Sequence, residues 1–260
     1  MSLQRIPHDA TKYRNNPVEL LDISKRNRIG SEYALTANTK LLITGTGENN
    51  STTILDSTGK TVTRYGDTKI STAQSIIGGS SIYFDGTGDY LTLADSADWD
   101  FGTGNLTIDF WWYATSAPTY SSLIGQYYNN CIAGTFELYT TSAANTYKIE
   151  LNMQNSTWPD YLLISQTAYS PNTWNHFAIV RESTTSIKLY HNGIVNHSLT
   201  IPSGLQLNNT GAIPLTVGAQ TSGLNPIFGY LSHLRITKGQ ALWTANFTPP
   251  KFISDNYIGA

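Results

Sequence analysis

Short runs rich in β-branched, aromatic and apolar residues, some alternating apolar with polar, recur at regular spacing along the 260-residue chain and are broken by Gly, Asn or Asp. That rhythm predicts short strands joined by tight turns. It is clearest over residues 80–113. Tyr83, Phe84, Tyr90, Leu91 and Leu93 are strand formers, Asp85-Gly86-Thr87-Gly88 is turn chemistry, and residues 106–113 are a second strand. Upstream, residues 41–43 predict a strand, 52–55 a β-rich piece, 56–60 a turn and 61–65 an alternating strand. Downstream, residues 121–128 and 134–140 are expected to pair across Asn129-Asn130. Residues 147–153, 161–166, 174–181, 187–191, 194–199, 215–219 and 228–237 follow as strands. Asn192-Gly193 is a strong hairpin signal. Residues 239–246 predict a short helix before the Pro249-Pro250 stop. About a dozen short strands with no long helix describe an all-β sandwich.

The first 38 residues read differently. Residues 1–15 lack periodicity and predict an extended arm. Asn16 then offers an N-cap, Pro17 suits the first helical position, and Glu19 completes a capping box. Val18, Leu20 and Leu21 form a thin apolar edge, Lys25, Arg26 and Arg28 place positive charge at the C-terminal end, and Gly30 stops the helix. So short a helix needs something to pack against, a partner or its own body. The division expected is an arm (1–38), one body (39–250) without internal repeats, and a tail (251–260).

Composition adds exclusions. Charged residues are 13% of the chain, against roughly 25% in a typical soluble protein. Cys131 is the single cysteine, so no intrachain disulfide forms, and it reads as a small buried hydrophobe. The sequence shows neither a signal-peptide run nor about 18 consecutive apolar residues, so no membrane insertion is expected. Net charge is −2, with six Lys/Arg against four Asp/Glu in residues 1–38 and ten against fourteen beyond. Neither value argues for nucleic acid as a partner.

Three blocks carry a family likeness: IGGSSIYFDGTGDYLTLADSADWDFGTGNLTIDFWWY, then TWNHFAIVRE with IKLYHNG, then FGYLSHLRITKGQALWTANFTPP. Together they resemble the laminin-G-like, concanavalin A-like jelly-roll domains common in bacteriophage and other viral structural proteins. The likeness runs from about Leu41 to Pro250, roughly four-fifths of the chain. It implies two antiparallel sheets packed face to face, with a concave outer face and rim loops where relatives bind glycans or calcium. The family also holds glycosidases and purely structural modules, so fold leaves function open.

Glycosidases of this fold need two acids on one strand face. Residues 106–113 hold only Asp109, the strands around Glu137 and Glu150 hold one acid each, and Asp98 and Asp100 flank Trp99 in a loop. No enzyme activity is expected. For calcium, Asp85 and Asp89 bracket Gly86-Thr87-Gly88 as in metal-binding relatives, although Ser232 and His233 stand where an acidic pair is common. The alternative is that both acids cap turn amides. Sugar platforms combine aromatic faces with amide and carboxylate groups. Tyr127, Tyr128, Asn129 and Asn130 form one such loop, and Trp158, Asp160 and Tyr161 another. Trp112 shares the core face of Ile108 and Phe110, while Trp111 lies opposite with Asp109 and Tyr113, either packed in a core or interface or open as a glycan candidate. Trp174 and His176 read as packed structural residues.

The function expected is that of a non-enzymatic virion protein, a capsid decoration or a fibre or tail component. The arm, through Lys25, Arg26 and Arg28, would hold other virion proteins in a multi-copy assembly, and the jelly roll would face host-surface glycan. A free carbohydrate-binding lectin is the alternative, followed by a glycoside hydrolase or depolymerase.

Overall fold

A computed structural model describes residue 33 and residues 35–116, 120–126, 135–141, 148–153 (side chains excepted), 161–208 and 211–251. Period-two alternation becomes fifteen strands among them. In order these are β1 (Thr39–Ile43), β2 (Thr63–Tyr65), β3 (Lys69–Ser71), β4 (Ser81–Asp85), β5 (Tyr90–Leu93), β6 (Leu106–Ala114), β7 (Tyr120–Gly125) and β8 (Phe136–Thr141). Then come β9 (Lys148–Met153), β10 (Tyr161–Ile164), β11 (Trp174–Ser183), β12 (Ser186–His191), β13 (Ile194–Thr200), β14 (Leu215–Val217) and β15 (Phe228–Lys238). Residues 35–250 cluster as one compact unit.

Two antiparallel sheets result. The eight-stranded sheet runs β13-β12-β11-β6-β15-β4-β3, with β1 also pairing β15; the seven-stranded sheet runs β10-β9-β8-β7-β14-β5-β2. One edge of β15 is shared by two strands in line, β4 at Phe228–Leu231 and β1 at Leu234–Thr237. Their junction falls on a bulge at Ser232 and His233, and His233 takes a left-handed φ of 53°. The core lies between the sheets: Ile82, Phe84, Ile108, Phe110, Trp112, Phe177 and Ile179 from one face meet Leu91, Leu93, Phe136, Leu138, Leu215 and Val217 from the other. Trp112 is core as parity required. The two-sheet jelly roll expected from the sequence is the architecture observed.

Two expected elements are absent. Residues 52–55 form no strand and leave Leu55 72% exposed; the backbone bonds to edge strand β3 fall just before them, Asn50 N–H to Ile70 O and Ile70 N–H to Ser51 O, each at 2.8 Å. Residues 239–246 form no helix. So short a helix is marginal alone, and here the peptide groups find partners on the sheet: Leu242 N–H donates to Thr107 Oγ1 at 3.0 Å, Thr107 Oγ1 donates to Gln240 O at 3.1 Å, and Phe247 N–H donates to Gly193 O at 2.8 Å. Residues 239–250 are therefore an irregular strap over the outer face of the eight-stranded sheet. Asn192-Gly193 makes the expected tight turn with φ of 50° and 79°, and a Cβ on Gly193 would lie 1.9 Å from Phe247 O, so the strap itself requires glycine there. The predicted helix of residues 16–30 lies outside the described residues. Among the described residues no helix is long and apolar enough to cross a membrane.

Candidate functional site

Asp89 is fully buried, and both its oxygens are engaged by backbone: Oδ1 accepts from Asp67 N at 2.7 Å and Oδ2 from Asp85 N at 2.9 Å. Asp85 Oδ1 accepts from Thr87 N at 2.7 Å. Asp89 thus fastens the β4–β5 turn to the β2–β3 turn, and Asp85 caps an amide within its own turn. Burial, and then the negative charges of Asp85 and Asp67, push the Asp89 carboxyl above its ordinary range. Asp67, Asp85 and Asp89 each bring one oxygen within 4.8 Å of the others. As hard oxygen donors they fit calcium, with Asp67 a donor the sequence pattern missed.

The outer face of the seven-stranded sheet carries a second constellation. Tyr65 and Tyr90 are register partners on β2 and β5 and stack with centroids 4.2 Å apart and planes within 2°. On β7 and β8, Tyr120 and Tyr139 lie 4.6 Å apart. Between them, Tyr120 Oη donates to Glu137 Oε2 at 2.6 Å, Gln220 Nε2 donates to Glu137 Oε1 at 2.9 Å, and Asn225 Nδ2 donates to Gln220 Oε1 at 2.8 Å. Burial pushes the Glu137 carboxyl up, against the pull of the Tyr120 and Gln220 bonds. Alternation with buried Phe136, Leu138 and Leu91 was the signal for this face. The crossovers that bring β2, β5, β7 and β8 together were not readable.

The loops singled out in the sequence sit elsewhere. Tyr127, Tyr128, Asn129, Asn130, Trp158 and Asp160 lie outside the described residues, as do Lys25, Arg26 and Arg28. Register aligns the anchors of both loops, however: Phe136 faces Met153, which faces Tyr161. These anchors lie at one end of the seven-stranded sheet, opposite the Asp85–Asp89 turn. Tyr161 itself is partly buried against the core.

Trp111 takes the packed one of its two expected roles, and its reading as a glycan candidate is corrected. It lies on the outer face as parity predicted, yet it is 3% exposed, and its Nε1 donates to Pro250 O at 3.1 Å. The strap covers it, so its ring is no sugar platform. Under the same strap Asp109 is fully buried and takes Arg235 bidentately, Nε at 2.8 Å and the second nitrogen at 3.1 Å, with His176 Nε2 at 3.5 Å. Burial would raise the Asp109 carboxyl, but the Arg235 guanidinium and His176 hold it below its ordinary value. Burial pushes His176 down, so it packs as a neutral ring edge-on to Trp111, 5.0 Å between centroids. Three of the acids weighed for catalysis stand apart: Asp98 pairs with Lys60 at 2.9 Å, Asp109 is locked beneath the strap, and Glu137 lies on the other sheet; the side chain of Glu150 lies outside the described residues.

Two antiparallel layers packed face to face around one core define a jelly-roll sandwich. Residues 85–243 match the family described as the concanavalin A-like lectin/glucanases superfamily, laminin-G type, and the chain belongs to it. No curated protein matches the sequence significantly. Similar solved structures include the binding domain of Paraclostridial Mosquitocidal Protein 1, at 14% identity and TM-score 0.62, over 79% of this chain and 50% of that one. Domain 4 of AbnA, a GH43 extracellular arabinanase from Geobacillus stearothermophilus solved with arabinotriose, matches at 16% identity and TM-score 0.54, over 78% of this chain and 95% of that one. The receptor binding domain of botulinum neurotoxin D matches at 18% identity and TM-score 0.57, over 79% and 50%. The chain spans about half the length of the two toxin chains, and at these identities the likeness establishes the fold.

Proposed function

We propose that this is a non-enzymatic recognition module of a virion, held in a multi-copy particle by residues 1–38 and presenting the jelly roll to host-surface glycan. The observation that carries the recognition reading is the stacked Tyr65–Tyr90 pair, open on the outer face of the seven-stranded sheet that also carries half-buried Tyr120. Ring faces meet the apolar side of a sugar, while the buried Glu137–Gln220 hydrogen bonds fix the Tyr120 hydroxyl from beneath. The scattered acids support a binding role over hydrolysis. The virion assignment draws its support from the phage-like C-terminal block and the separate arm.

A glycan array probed with the full chain, with and without calcium, tests recognition. Selective binding lost in Tyr65→Ala and Tyr120→Ala is expected, and no binding in either condition contradicts it. Purified particles that lack the protein, or that retain it after deletion of residues 1–38, refute the anchoring half.

A further inference from the structure

The outward peptide groups of an edge strand are a template for another chain unless something covers them. Among the described residues, all edges but one are closed from within. Ile70 on β3 exchanges bonds with Asn50 and Ser51, and Leu42 on β1 donates to Asp56 Oδ1 and accepts from Ser57. The β10 and β13 edges are laced to each other and to the strap: Ile164 N–H donates to His197 Nδ1 at 3.1 Å, Gln166 N–H to Asn196 Oδ1 at 2.6 Å, and Val195 N–H to Asn246 Oδ1 at 2.9 Å. The exception is β2, the other edge of the seven-stranded sheet. Bond parity tells which of its groups point outward. Gly218 N–H donates to Leu123 O, so Thr216 also faces β7, while Leu215 and Val217 face β5. Leu91 and Leu93 therefore bond β14, Tyr90 and Thr92 bond Tyr65 and Thr63, and the N–H and C=O of Arg64 face away from the sheet. Val62 packs on the core from the same side as Arg64, so the alternation continues and its peptide groups face outward too. Among the described residues nothing bonds these outward groups.

We infer that β2 is a self-association edge, to which a second copy of this chain adds its own β2, antiparallel, across a two-fold axis through Thr63. Charge selects that register among those that set outward groups against outward groups. Centred on Arg64, the pairing would place Arg64 against Arg64 of the second copy; centred on Val62, it would place Arg64 against Lys60. Like charges directly opposite each other destabilise a strand pair. Centred on Thr63, Arg64 faces Val62 and Val62 faces Arg64, each pair exchanging both of its N–H···O bonds, and Thr63 meets its own copy as the non-bonded pair between them. One edge thus supplies every donor and acceptor that the other needs, which suits a second copy better than an unrelated strand. The approach is unguarded by charge. In residues 49–63 the charged side chains are Asp56, buried in its turn, and Lys60, paired with Asp98 at 2.9 Å, while Leu55 stands 72% exposed. Edges that stay single carry outward lysines, prolines or bulges instead. The dimer joins two seven-stranded sheets edge to edge, and it depends on neither the glycan reading nor the anchoring role of residues 1–38.

The full chain is followed by sedimentation equilibrium from low to high micromolar concentration, and Thr63→Cys is mildly oxidised and its linked peptides identified by mass spectrometry. A reversible dimer is expected. Thr63→Cys should cross-link to its own copy, because a non-bonded antiparallel pair brings the Cα atoms to about 4.5 Å, within disulfide reach. Val62→Pro removes an outward N–H that the fold itself does not use, and Thr63→Asp sets like charges across the axis while leaving the backbone intact. Each should weaken dimerisation about tenfold or more, with the circular dichroism of the monomer unchanged. Thr63→Val, which loses only the hydroxyl, should dimerise within a few-fold of wild type. A monomer at every concentration, a dimer indifferent to both Val62→Pro and Thr63→Asp, or oxidation that leaves position 63 unlinked to its copy overturns the inference.

Discussion

Trp111 and Tyr113 stand two residues apart on one strand, point to the same side, and meet opposite fates. Trp111 is sealed by Pro250, and around it Trp243 stacks on Phe247 at 3.9 Å while Ala178, Val180 and Tyr190 complete a small second core. Tyr113 lies in an aromatic rung with Tyr83, Tyr230 and Trp174 that the strap leaves partly open to solvent. The covered half is built like an interior, apolar with its charges paired. The open half has rings without an interior to serve. Coverage, not residue type or strand parity, separates structural aromatics from open ones on this sheet.

The covered half should break first. Asp109→Ala leaves the Arg235 guanidinium buried without its carboxylate, a loss of about 3–5 kcal/mol, measured by denaturant unfolding. Tyr83→Ala on the open half, by contrast, removes edge contacts worth about 0.5–1.5 kcal/mol.

Acid should act on the same region. His233 sits in the bulge with its Nδ1 2.7 Å from Ser232 Oγ, and burial pushes its pKa from 6.5 to about 4. A histidine lowered on folding contributes stability above its unfolded pKa that is lost as pH falls from about 6.5 toward 4. The shift is worth roughly 3 kcal/mol. Unfolding free energies from pH 7 to 4 should decline accordingly, and His233→Gln should flatten the slope. Glu137 and Asp89, raised on folding, lean the opposite way.

Smaller again is the turn clamp. Asp89→Ala orphans the amides of Asp67 and Asp85 and should cost about 1–3 kcal/mol. An equal loss in chelator and in calcium marks Asp89 as a turn fastener. A melting temperature that calcium raises in wild type but not in Asp85→Ala marks the three acids as a metal site.

Much of the fold was legible. Alternation placed Trp112 inward and Trp111 outward, and Asn192-Gly193 announced its hairpin, because side-chain period and turn chemistry are local. The strap was not, since residues 239–250 take their hydrogen bonds from Thr107 and Gly193, far away in sequence, and so escape the helix their composition suggests. The candidate site was legible only as parity. Tyr65 and Tyr90 lie 25 positions apart, and Tyr113 and Tyr230 over a hundred, so only strand order tells which rings meet.

The most direct measurement sets Trp111→Ala beside Tyr65→Ala, each followed by unfolding and by titration with the strongest glycan of the array. Trp111→Ala should cost about 3–5 kcal/mol of stability and, where folded, keep its affinity. Tyr65→Ala, at the exposed ring of the seven-stranded face, should lose tenfold or more in affinity at nearly unchanged stability. Equal affinity in both variants would contradict the division between covered, structural aromatics and open, binding ones.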